Sequence, residues 1–386
     1  MTLYVGIDVA KNKHDLAIID ELGEIIIKNF RFQNSYQGFR ELKLYLAQLN
    51  TPTNQIQIAL EDTGHYAYNL IAFLKKLNFS VFTYNPLLIK EFVKSLSLRK
   101  TKTDIKDALV IAQKLRTDTT SERYQADTSM QELKELTRYQ DRLIRNRSQI
   151  KLLYVRLLDI IFPELSKIVG NVHNQYVYEL LSNYPAPEKI RRARFNSLLK
   201  ISRLTANKAN QIQEAAQHTI GNSSLAFQIE LTQLISTIRH FDKQIETIQL
   251  RINQILNEIN SPICSITGIG QRLGAVILAE IKNINNFSTP AQLQAFAGLE
   301  PSIHQSGQND STGHMVKRGS SYLRYALILA TQAICRYSPC FRDYLALKRA
   351  QGKHYYVAIS HAAKKLIRVI FYLLKTNQIF DEDKLR

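Results

Sequence analysis

The stretch that decides the fold is Leu3-Tyr4-Val5-Gly6-Ile7-Asp8, an apolar strand that ends on a carboxylate. A second strand, residues 55–61, ends in the same way on Glu61. Asp104 and Asp107 lie three residues apart in a helical stretch, so both project from one face of the helix. Carboxylates from two strand ends and one helix face offer the oxygen ligands that hard divalent cations prefer. The pattern predicts a metal-dependent enzyme that holds Mg²⁺.

Two further acids lie close to this set in the sequence. Asp62 follows Glu61 directly, and strand alternation places it on the opposite face of the sheet. Asp15 lies beyond the first turn, on the next strand. We therefore expect the metal ligands to be Asp8, Glu61, Asp104 and Asp107, with Asp8 bridging two ions about 4 Å apart.

The charge of the chain indicates what such an enzyme acts on. The sequence has 51 Lys and Arg against 33 Asp and Glu, a formal net charge of +18. An excess of this size attracts polyanions and points to a nucleic-acid partner, although a generally basic surface gives the same sum. Lys100 and Lys102 lie beside the two helical aspartates, where they form a basic rim suited to a phosphate backbone.

The remaining composition excludes several classes of protein. Only three cysteines occur, which is too few for a disulfide framework and fits a reducing compartment. The N-terminus begins directly with a strand pattern, and no apolar run approaches membrane length. We expect a cytoplasmic protein with no membrane partner.

The order of elements predicts the fold of the first domain, residues 1–125. Strand patterns at 3–8, 14–20 and 24–32 are followed by a helix at 36–48, the Glu61 strand, a helix at 65–77 and a strand at 79–84. Three strands followed by alternating helix and strand are typical of the ribonuclease H-like fold, also found in Holliday-junction resolvases, a mixed sheet flanked by helices. The fold class is α/β here and all-α in the rest of the chain.

A central helical region, residues 126–260, follows. Residues 128–162 form one long helix pattern, and an apolar residue recurs with alternating spacings of 4 and 3 through 225–260. That periodicity predicts a coiled coil. Its partner is the 128–162 helix of the same chain, the same helix of a second copy, or both, and pairing with a second copy would give a dimer or tetramer. The segment at about 164–224 between the two helices is less regular and forms a helical insertion.

A stripe of arginines marks one face of the first long helix. Arg138, Arg142 and Arg145 follow one another at i, i+4 and i+7. A solvated charged face would give the same stripe, but few acids interrupt it, so we predict that it tracks phosphates.

The C-terminal domain, residues 261–386, reads as mostly helical. Gly268 and Gly270 open a helix, as in a turn that holds a DNA phosphate on backbone N–H groups. Ser306 lies in a polar loop, where an ordinary turn residue is the simple interpretation. Lys317, Arg318 and Arg324 follow closely, and these cations could activate the Ser306 hydroxyl and stabilise a phosphoryl intermediate.

These motifs carry a resemblance to a known family. The runs Gly6-Ile7-Asp8-Val9-Ala10-Lys11, Glu61-Asp62-Thr63-Gly64-His65-Tyr66 and Lys102-Thr103-Asp104-Ile105-Lys106-Asp107-Ala108 resemble the DEDD transposases related to the pilin-gene invertase, the insertion-sequence family numbered one hundred and ten. Towards the other end, Phe296-Ala297-Gly298-Leu299-Glu300-Pro301, Gln305-Ser306-Gly307 and Lys317-Arg318-Gly319 resemble the second domain of that family. The motifs occur in the order of the family.

The resemblance implies a mechanism. In that family the two domains form a composite active site, in which Ser306 would be the nucleophile of a covalent phosphoserine–DNA intermediate and the four acids would hold Mg²⁺. Members use a structured noncoding bridge RNA that pairs with donor and target DNA. The insertion at 164–224 departs from compact members. A metal-only junction nuclease and a non-catalytic nucleic-acid-binding protein remain the alternatives.

Overall fold

The computed structural model describes residues 1–61, 65–84, 89–90, 92–93, 104–118, 128–300, 305–306, 309–310 and 315–385. The chain divides into two compact units, Met1–Ala126 and Asp127–Arg386. Each unit has its own hydrophobic cores.

Unit 1 is built on a five-stranded mixed sheet. Its strands are β1 (Leu3–Val9), β2 (Lys13–Ile19), β3 (Ile25–Gln33), β4 (Ile56–Glu61) and β5 (Ser80–Tyr84). The order across the sheet is β3-β2-β1-β4-β5. β1 pairs antiparallel with β2 and parallel with β4, β2 pairs antiparallel with β3, and β4 pairs parallel with β5. The predicted mixed sheet is confirmed, with each strand within one residue of its expected ends.

Helices cover both faces of this sheet. α1 (Tyr36–Ala47) and α2 (Tyr68–Lys76) pack on the face that carries Val5, Ile7 and Leu60. α3 (Asp104–Thr117) packs on the other face, and Gly6 explains how closely it approaches. A Cβ at Gly6 would lie 2.1 Å from the Ala108 carbonyl oxygen and 2.4 Å from the Ala112 nitrogen. Only glycine permits this helix-on-strand contact.

Unit 2 is organised around two long helices, α4 (Thr128–Ile161) and α10 (Leu225–Ile259), which pack against each other within one chain. Four of the predicted seam residues are buried: Leu231, Ile238, Ile252 and Ile255. Gln140 Nε2 on α4 donates a hydrogen bond to Gln249 Oε1 on α10 at 2.9 Å, and a polar pair inside such an interface fixes its register. The predicted long helices are confirmed, and the intrachain hairpin accounts for at least part of the apolar seam.

The insertion covers one end of the α4–α10 pair. It consists of short helices: α5 (Leu165–Val169), α6 (Gln175–Asn183), α7 (Pro187–Arg192), α8 (Phe195–Leu198) and α9 (Ala206–Ala215). Their apolar side chains form one core with Tyr154, Leu158, Leu231 and Ile235 of the long helices. The insertion therefore buries the end of the pair at which α4 ends and α10 begins.

The opposite end of the pair packs on the C-terminal helices. These are α11 (Gln271–Ile281), α12 (Pro290–Phe296), α13 (Ser321–Tyr337), α14 (Pro339–Ala350) and α15 (Tyr355–Thr376), with a two-stranded ribbon of β6 (Gln305–Ser306) and β7 (Asn309–Asp310). Leu133, Ile252 and Ile255 join their core. Among the described helices, none combines the length and the apolarity that a membrane span requires.

Candidate active site and nucleic-acid contacts

The carboxyl ends of β1 and β4 bring two of the predicted metal ligands together. The parallel ladder pairs Ile7 with Leu60, and Asp8 and Glu61 follow these residues directly. Both side chains are half-buried. Because neighbouring parallel strands end at the same edge of a sheet, Asp8 and Glu61 occupy adjacent positions there.

The direction of α3 brings the other two acids to the same edge. Near the end of α3, Arg116 Nη1 donates a hydrogen bond to the Glu21 carbonyl oxygen at 3.3 Å, in the β2–β3 turn at the far edge of the sheet. Ala108, one turn into the helix, lies against Gly6. α3 therefore runs antiparallel to β1, and its first turn, with Asp104 and Asp107, lies towards the edge that carries Asp8. Asp107 is half-buried, and the Asp104 side chain lies outside the described part.

Asp15 is a neighbour of this set that sequence reasoning set aside. It lies directly opposite Asp8 in the antiparallel β1–β2 ladder, so both side chains are on the same face of the sheet. Asp15 is only 3% exposed, and Arg31 Nε on β3 donates a hydrogen bond to it at 3.0 Å. Its position beyond the first turn did not separate it from the site, because a tight hairpin returns the chain to the same edge.

The donor set suits a hard cation such as Mg²⁺, because all four predicted ligands are carboxylates. Within the described residues, no three His, Cys, Asp or Glu side chains form a group arranged to hold a metal ion. The Asp104 side chain is not among these described residues. The backbone thus gathers the four positions at one edge, and Mg²⁺ binding stays a prediction. Lys100 and Lys102, the predicted basic rim, lie outside the described residues.

The segment that carries Ser306 is closed at its base. The Val316 N–H donates a hydrogen bond to the Glu300 carbonyl oxygen at 3.0 Å, which joins the two chain positions that flank residues 301–315. Inside this loop, the backbone of Ser306 pairs with that of Asn309. The Ser306 side chain lies outside the described part, and its nucleophilic role stays a prediction.

Lys317 and Arg318 follow this base immediately, and both are exposed. Lys317 has φ 53°, in the left-handed region that residues other than glycine rarely adopt. Its carbonyl oxygen accepts a hydrogen bond from Arg324 Nη1 at 3.2 Å, and the same nitrogen reaches the Ala297 carbonyl oxygen at 3.2 Å. The structure therefore gives Arg324 a structural role that the sequence did not reveal, which is to hold the Lys317 loop against the end of α12.

Two glycines make this close contact possible. A Cβ at Gly298 would lie 2.2 Å from the Arg318 carbonyl oxygen, and a Cβ at Gly319 would lie 2.1 Å from the Phe296 carbonyl oxygen. Both residues also have positive φ. Residues 296–300 and 317–319, from the two family-like motifs, thus form one packed unit that fixes the base of the Ser306 loop and the two exposed cations beside it.

Arg138, the first arginine of the predicted stripe, points into the protein. Its Nε and Nη2 donate to Glu280 Oε1 and Oε2 at 2.7 and 3.0 Å, a bidentate ion pair with a carboxylate that is 2% exposed. The Ser320 hydroxyl donates to Glu280 Oε2 at 2.7 Å, one residue after Gly319. This network joins α4, α11 and the Lys317 loop, and it favours a structural role for Arg138.

Glu280 and Ser320 are the residues that sequence reasoning missed. The available signal was a single acid within the otherwise apolar run Val276-Ile277-Leu278-Ala279-Glu280-Ile281. Burial acts to raise the pKa of Glu280, but the hydrogen bond from Arg138 and the charges of Lys134 and Arg138 outweigh it and hold this pKa below its ordinary value. Glu280 is therefore charged and matched inside the fold.

The other two stripe arginines are exposed. Arg145 Nη2 pairs with Asp141 at 2.8 Å, one turn earlier in α4. The Arg142 guanidinium lies 5.5 Å from the centroid of the Tyr139 ring. Surface contacts of this kind contribute little stability and break readily, so phosphate binding by Arg142 and Arg145 remains a prediction.

In the Gly268-Ile269-Gly270 turn, close packing explains the presence of glycine at the first position only. Gly268 has φ 89°, and a Cβ there would lie 2.9 Å from the Ile334 nitrogen of α13. Gly270 precedes α11, and a Cβ there would meet nothing within 4 Å. The turn is therefore open at Gly270. Phosphate binding by Gly268 and Gly270 stays a prediction.

Two family models match the chain. The model of the DEDD transposases of IS110, described as a transposase, matches residues 5–163, and the model described as the transposase IS116/IS110/IS902 family matches residues 260–346. The first match includes the carboxylate edge of the sheet, and the second includes the Ser306 loop and its base.

Curated relatives match over most of their length. The mini-circle putative transposase for IS117 from Streptomyces coelicolor is 26% identical, with 100% of this chain and 96% of the relative covered. A pilin gene-inverting protein from Moraxella bovis is 24% identical, with 98% of each chain covered.

Among solved structures, the chain is similar to T. thermophilus RuvC in complex with a Holliday junction substrate, at 16% identity. That match covers 32% of this chain and 99% of RuvC with a TM-score of 0.25. The family assignment rests on the two models, matched in order at the two ends of the chain, and on the relatives matched over nearly their full length. The chain belongs to the IS110 family of transposases.

Proposed function

We propose that this transposase cuts and exchanges DNA strands at a composite site, with the carboxylates of unit 1 holding Mg²⁺ and Ser306 of unit 2 as nucleophile. The observation that carries the proposal is the convergence of β1, β4 and the first turn of α3 at one sheet edge, with Asp8, Glu61, Asp104 and Asp107 at those positions. Family membership supports DNA as the substrate.

The residues of the chain divide the chemistry between them. Asp8, Glu61, Asp104 and Asp107 would hold Mg²⁺, which when bound stabilises negative charge on the reacting phosphate. The Ser306 oxygen forms a bond to the scissile phosphorus, the bond from phosphorus to the departing deoxyribose oxygen breaks, and the serine proton goes to that oxygen. Lys317 and Arg318, fixed beside the base of the loop, would offset the charge on the phosphoryl oxygens.

The guide is the second part of the proposal. Among the described residues, no His, Cys, Asp or Glu group is arranged to hold a metal ion, so the described part of the chain offers no zinc finger to read base edges. We propose that a structured bridge RNA pairs with donor and target DNA and supplies specificity, as the family resemblance implies. RNA-free protein should then fail to recombine purified donor and target DNA until the RNA is returned. Site-specific recombination without RNA would sink this part.

The assembly is the third part. We propose a homo-oligomer, a dimer or tetramer, that forms through exposed surface of the α4–α10 pair. Leu152 and Leu153 on α4 are 71% and 44% exposed, an apolar patch that a second copy would bury. Light scattering on the variant Leu152→Lys/Leu153→Lys should show a smaller particle than the native chain. An unchanged mass would leave the long helices as an internal hairpin only.

The decisive test of the chemistry is trapping of a protein–DNA adduct with Mg²⁺ present. The native chain should form an adduct that survives denaturing electrophoresis, and Ser306→Ala should bind DNA equally well but form none. Cysteine at the same position is the conservative control. If Ser306→Ala still cleaves DNA in a Mg²⁺-dependent manner without an adduct, the chain is a metal-only nuclease. No cleavage by the native chain would favour a non-catalytic binding protein.

A further inference from the structure

The turn between α14 and α15 carries an unusual concentration of positive charge. From Tyr344 to Phe380 the sequence contains no Asp or Glu, while it contains Lys348, Arg349, Lys353, Lys364, Lys365, Arg368 and Lys375. This turn lies beyond both matched family regions, which end at residues 163 and 346. We name as the α14–α15 corner Lys348, Arg349, Lys353, His354, Tyr355 and Tyr356.

The cations of this corner lie close together in space. The pKa of His361 on α15 is lowered by burial and by the charges of Lys353, Lys364 and Lys348. Lys348 Nζ donates a hydrogen bond to Gln351 Oε1 at 3.1 Å, and Arg349 Nη1 donates to the Lys353 carbonyl oxygen at 2.8 Å. In the described part of the chain, none of the ion pairs includes Lys348, Arg349 or Lys353. Arg349 is exposed, whereas Lys348 and Lys353 are half-buried, so the three charges lie at or near the surface without a described ion-pair partner.

Aromatic rings lie exposed beside these cations. Tyr355 and Tyr356 are 38% and 64% exposed, although both begin a helix whose other face is buried. Their ring centroids are 5.4 Å apart at an interplanar angle of 72°, and the His354 ring lies 5.9 Å from that of Tyr356. Exposed rings next to one another, with no apolar cover, offer π faces to a partner.

The combination of charge and rings selects a class of partner. Unpaired nucleic acid is bound by cations that follow its phosphates and by aromatic side chains on which its bases stack. In a duplex the base faces are stacked on each other, so only its phosphates could use this surface. An acidic peptide would satisfy the cations but would leave the rings without a matching group.

We propose that the α14–α15 corner binds an unpaired DNA strand, with bases stacked on Tyr355 and Tyr356 and phosphates held by Lys348 and Lys353. The choice of DNA rests on the proposed function, since strand exchange exposes unpaired DNA.

The sequence contains no tryptophan, which makes a local optical test possible. Tyr356→Trp introduces a single indole at an exposed position that keeps a stacking surface. Oligodeoxythymidine of about 15 nucleotides should quench its fluorescence, because a base stacked on the indole quenches emission. The matched control is Tyr372→Trp on the same helix, at a residue that is 53% exposed and lies near its other end. The control should show no quenching beyond that caused by a blunt duplex.

Binding measurements complete the test. Tyr355→Ala/Tyr356→Ala should weaken binding of the full chain to the single strand about tenfold or more, since each stacked base contributes about 1–3 kcal/mol. Lys353→Gln should instead lower the slope of log affinity against log salt by about 0.7, the value for one phosphate of a single strand. Equal quenching of both indoles, equal losses for single strand and duplex, or a greater loss for RNA than for DNA would each overturn the proposal.

The experiments distinguish a failure of the proposed single-strand site from a failure of the proposed function. If the native chain forms the Ser306 adduct but Tyr356→Trp shows no strand-specific quenching, the α14–α15 corner is not a DNA site and the recombinase function stands. If quenching is seen but no cleavage occurs under any condition, the corner binds DNA in a protein without that chemistry.

Discussion

The sheet edge of unit 1 and the arginine stripe of α4 look equally functional in the sequence, yet the structure treats them differently. At the sheet edge, strand register and helix direction place Asp8, Glu61 and Asp107 at one end of the sheet. On α4, three arginines at helical spacing separate, because Arg138 turns inward to Glu280 while Arg142 and Arg145 stay at the surface. Backbone register therefore gathers the carboxylate positions of a predicted metal site, whereas the side chains of a like-charged stripe can be separated by a partner inside the fold.

The largest expected effect is on the sheet edge. Asp8→Asn should lower Mg²⁺-dependent strand cleavage by about three orders of magnitude, since metal stabilisation of the reacting phosphate contributes several kcal/mol. Its thermal unfolding should be unchanged or shifted upward, because removing one carboxylate relieves repulsion. Glu41→Ala, an exposed carboxylate of α1, is the control and should cleave normally. Cleavage near the native rate by Asp8→Asn would end the interpretation of this edge as an active site.

The next effect is on the buried pair of the stripe. Arg138→Ala leaves Glu280 charged and buried, which should lower the free energy of unfolding of unit 2 by about 3 kcal/mol. This is the low end for such pairs, since the Arg138 side chain is 34% exposed. Chemical denaturation would measure it, with Arg142→Ala on the same helix as the control. If the two variants unfold at the same denaturant concentration, Arg138 contributes no more to stability than the exposed Arg142.

The Arg138–Glu280 pair also predicts how the stability of unit 2 depends on pH. The pKa of Glu280 is held below its ordinary value of 4.5 in the folded chain. Its stabilising contribution is therefore fully present above pH 4.5 and is lost as the pH falls through the lowered pKa. Glu280→Gln should reduce stability at neutral pH and flatten this acid loss. Parallel stability curves for Glu280→Gln and the native chain from neutral pH down to acid would show that Glu280 is not the group responsible.

The smallest effect is expected at the exposed arginines. Arg142→Ala should weaken duplex DNA binding only a few-fold and lower the salt slope by about 0.9, the value for one phosphate contact. Stability should stay within about 0.5 kcal/mol of the native value. Fluorescence anisotropy over a series of salt concentrations measures the slope. An unaltered slope would remove Arg142 from the nucleic-acid surface.

Much of the fold could be predicted because it depends on local pattern. Strand alternation and the order of elements located all five strands of the sheet, and helical periodicity located α4 and α10. The site was predictable to the extent that it lies at strand ends. The closeness of Asp15 to Asp8 was not predicted, because it depends on hairpin register, a pairing of residues seven apart that alternation alone does not reveal.

The sequence by itself determined the alternation of strand and helix, the long apolar seam and the acids at the strand ends, since each follows from the short-range periodicity of the backbone. Tertiary structure decided which charged side chains are paired inside the fold and which remain at the surface. Arg138 and Glu280 are 142 residues apart and meet only when α4 packs on α11. The need for glycine at positions 6, 298 and 319 is visible only in the structure, because a backbone atom of another segment lies too close to each for a Cβ atom. A buried charge must find a partner, and which partner it finds is set by the packing of the whole unit.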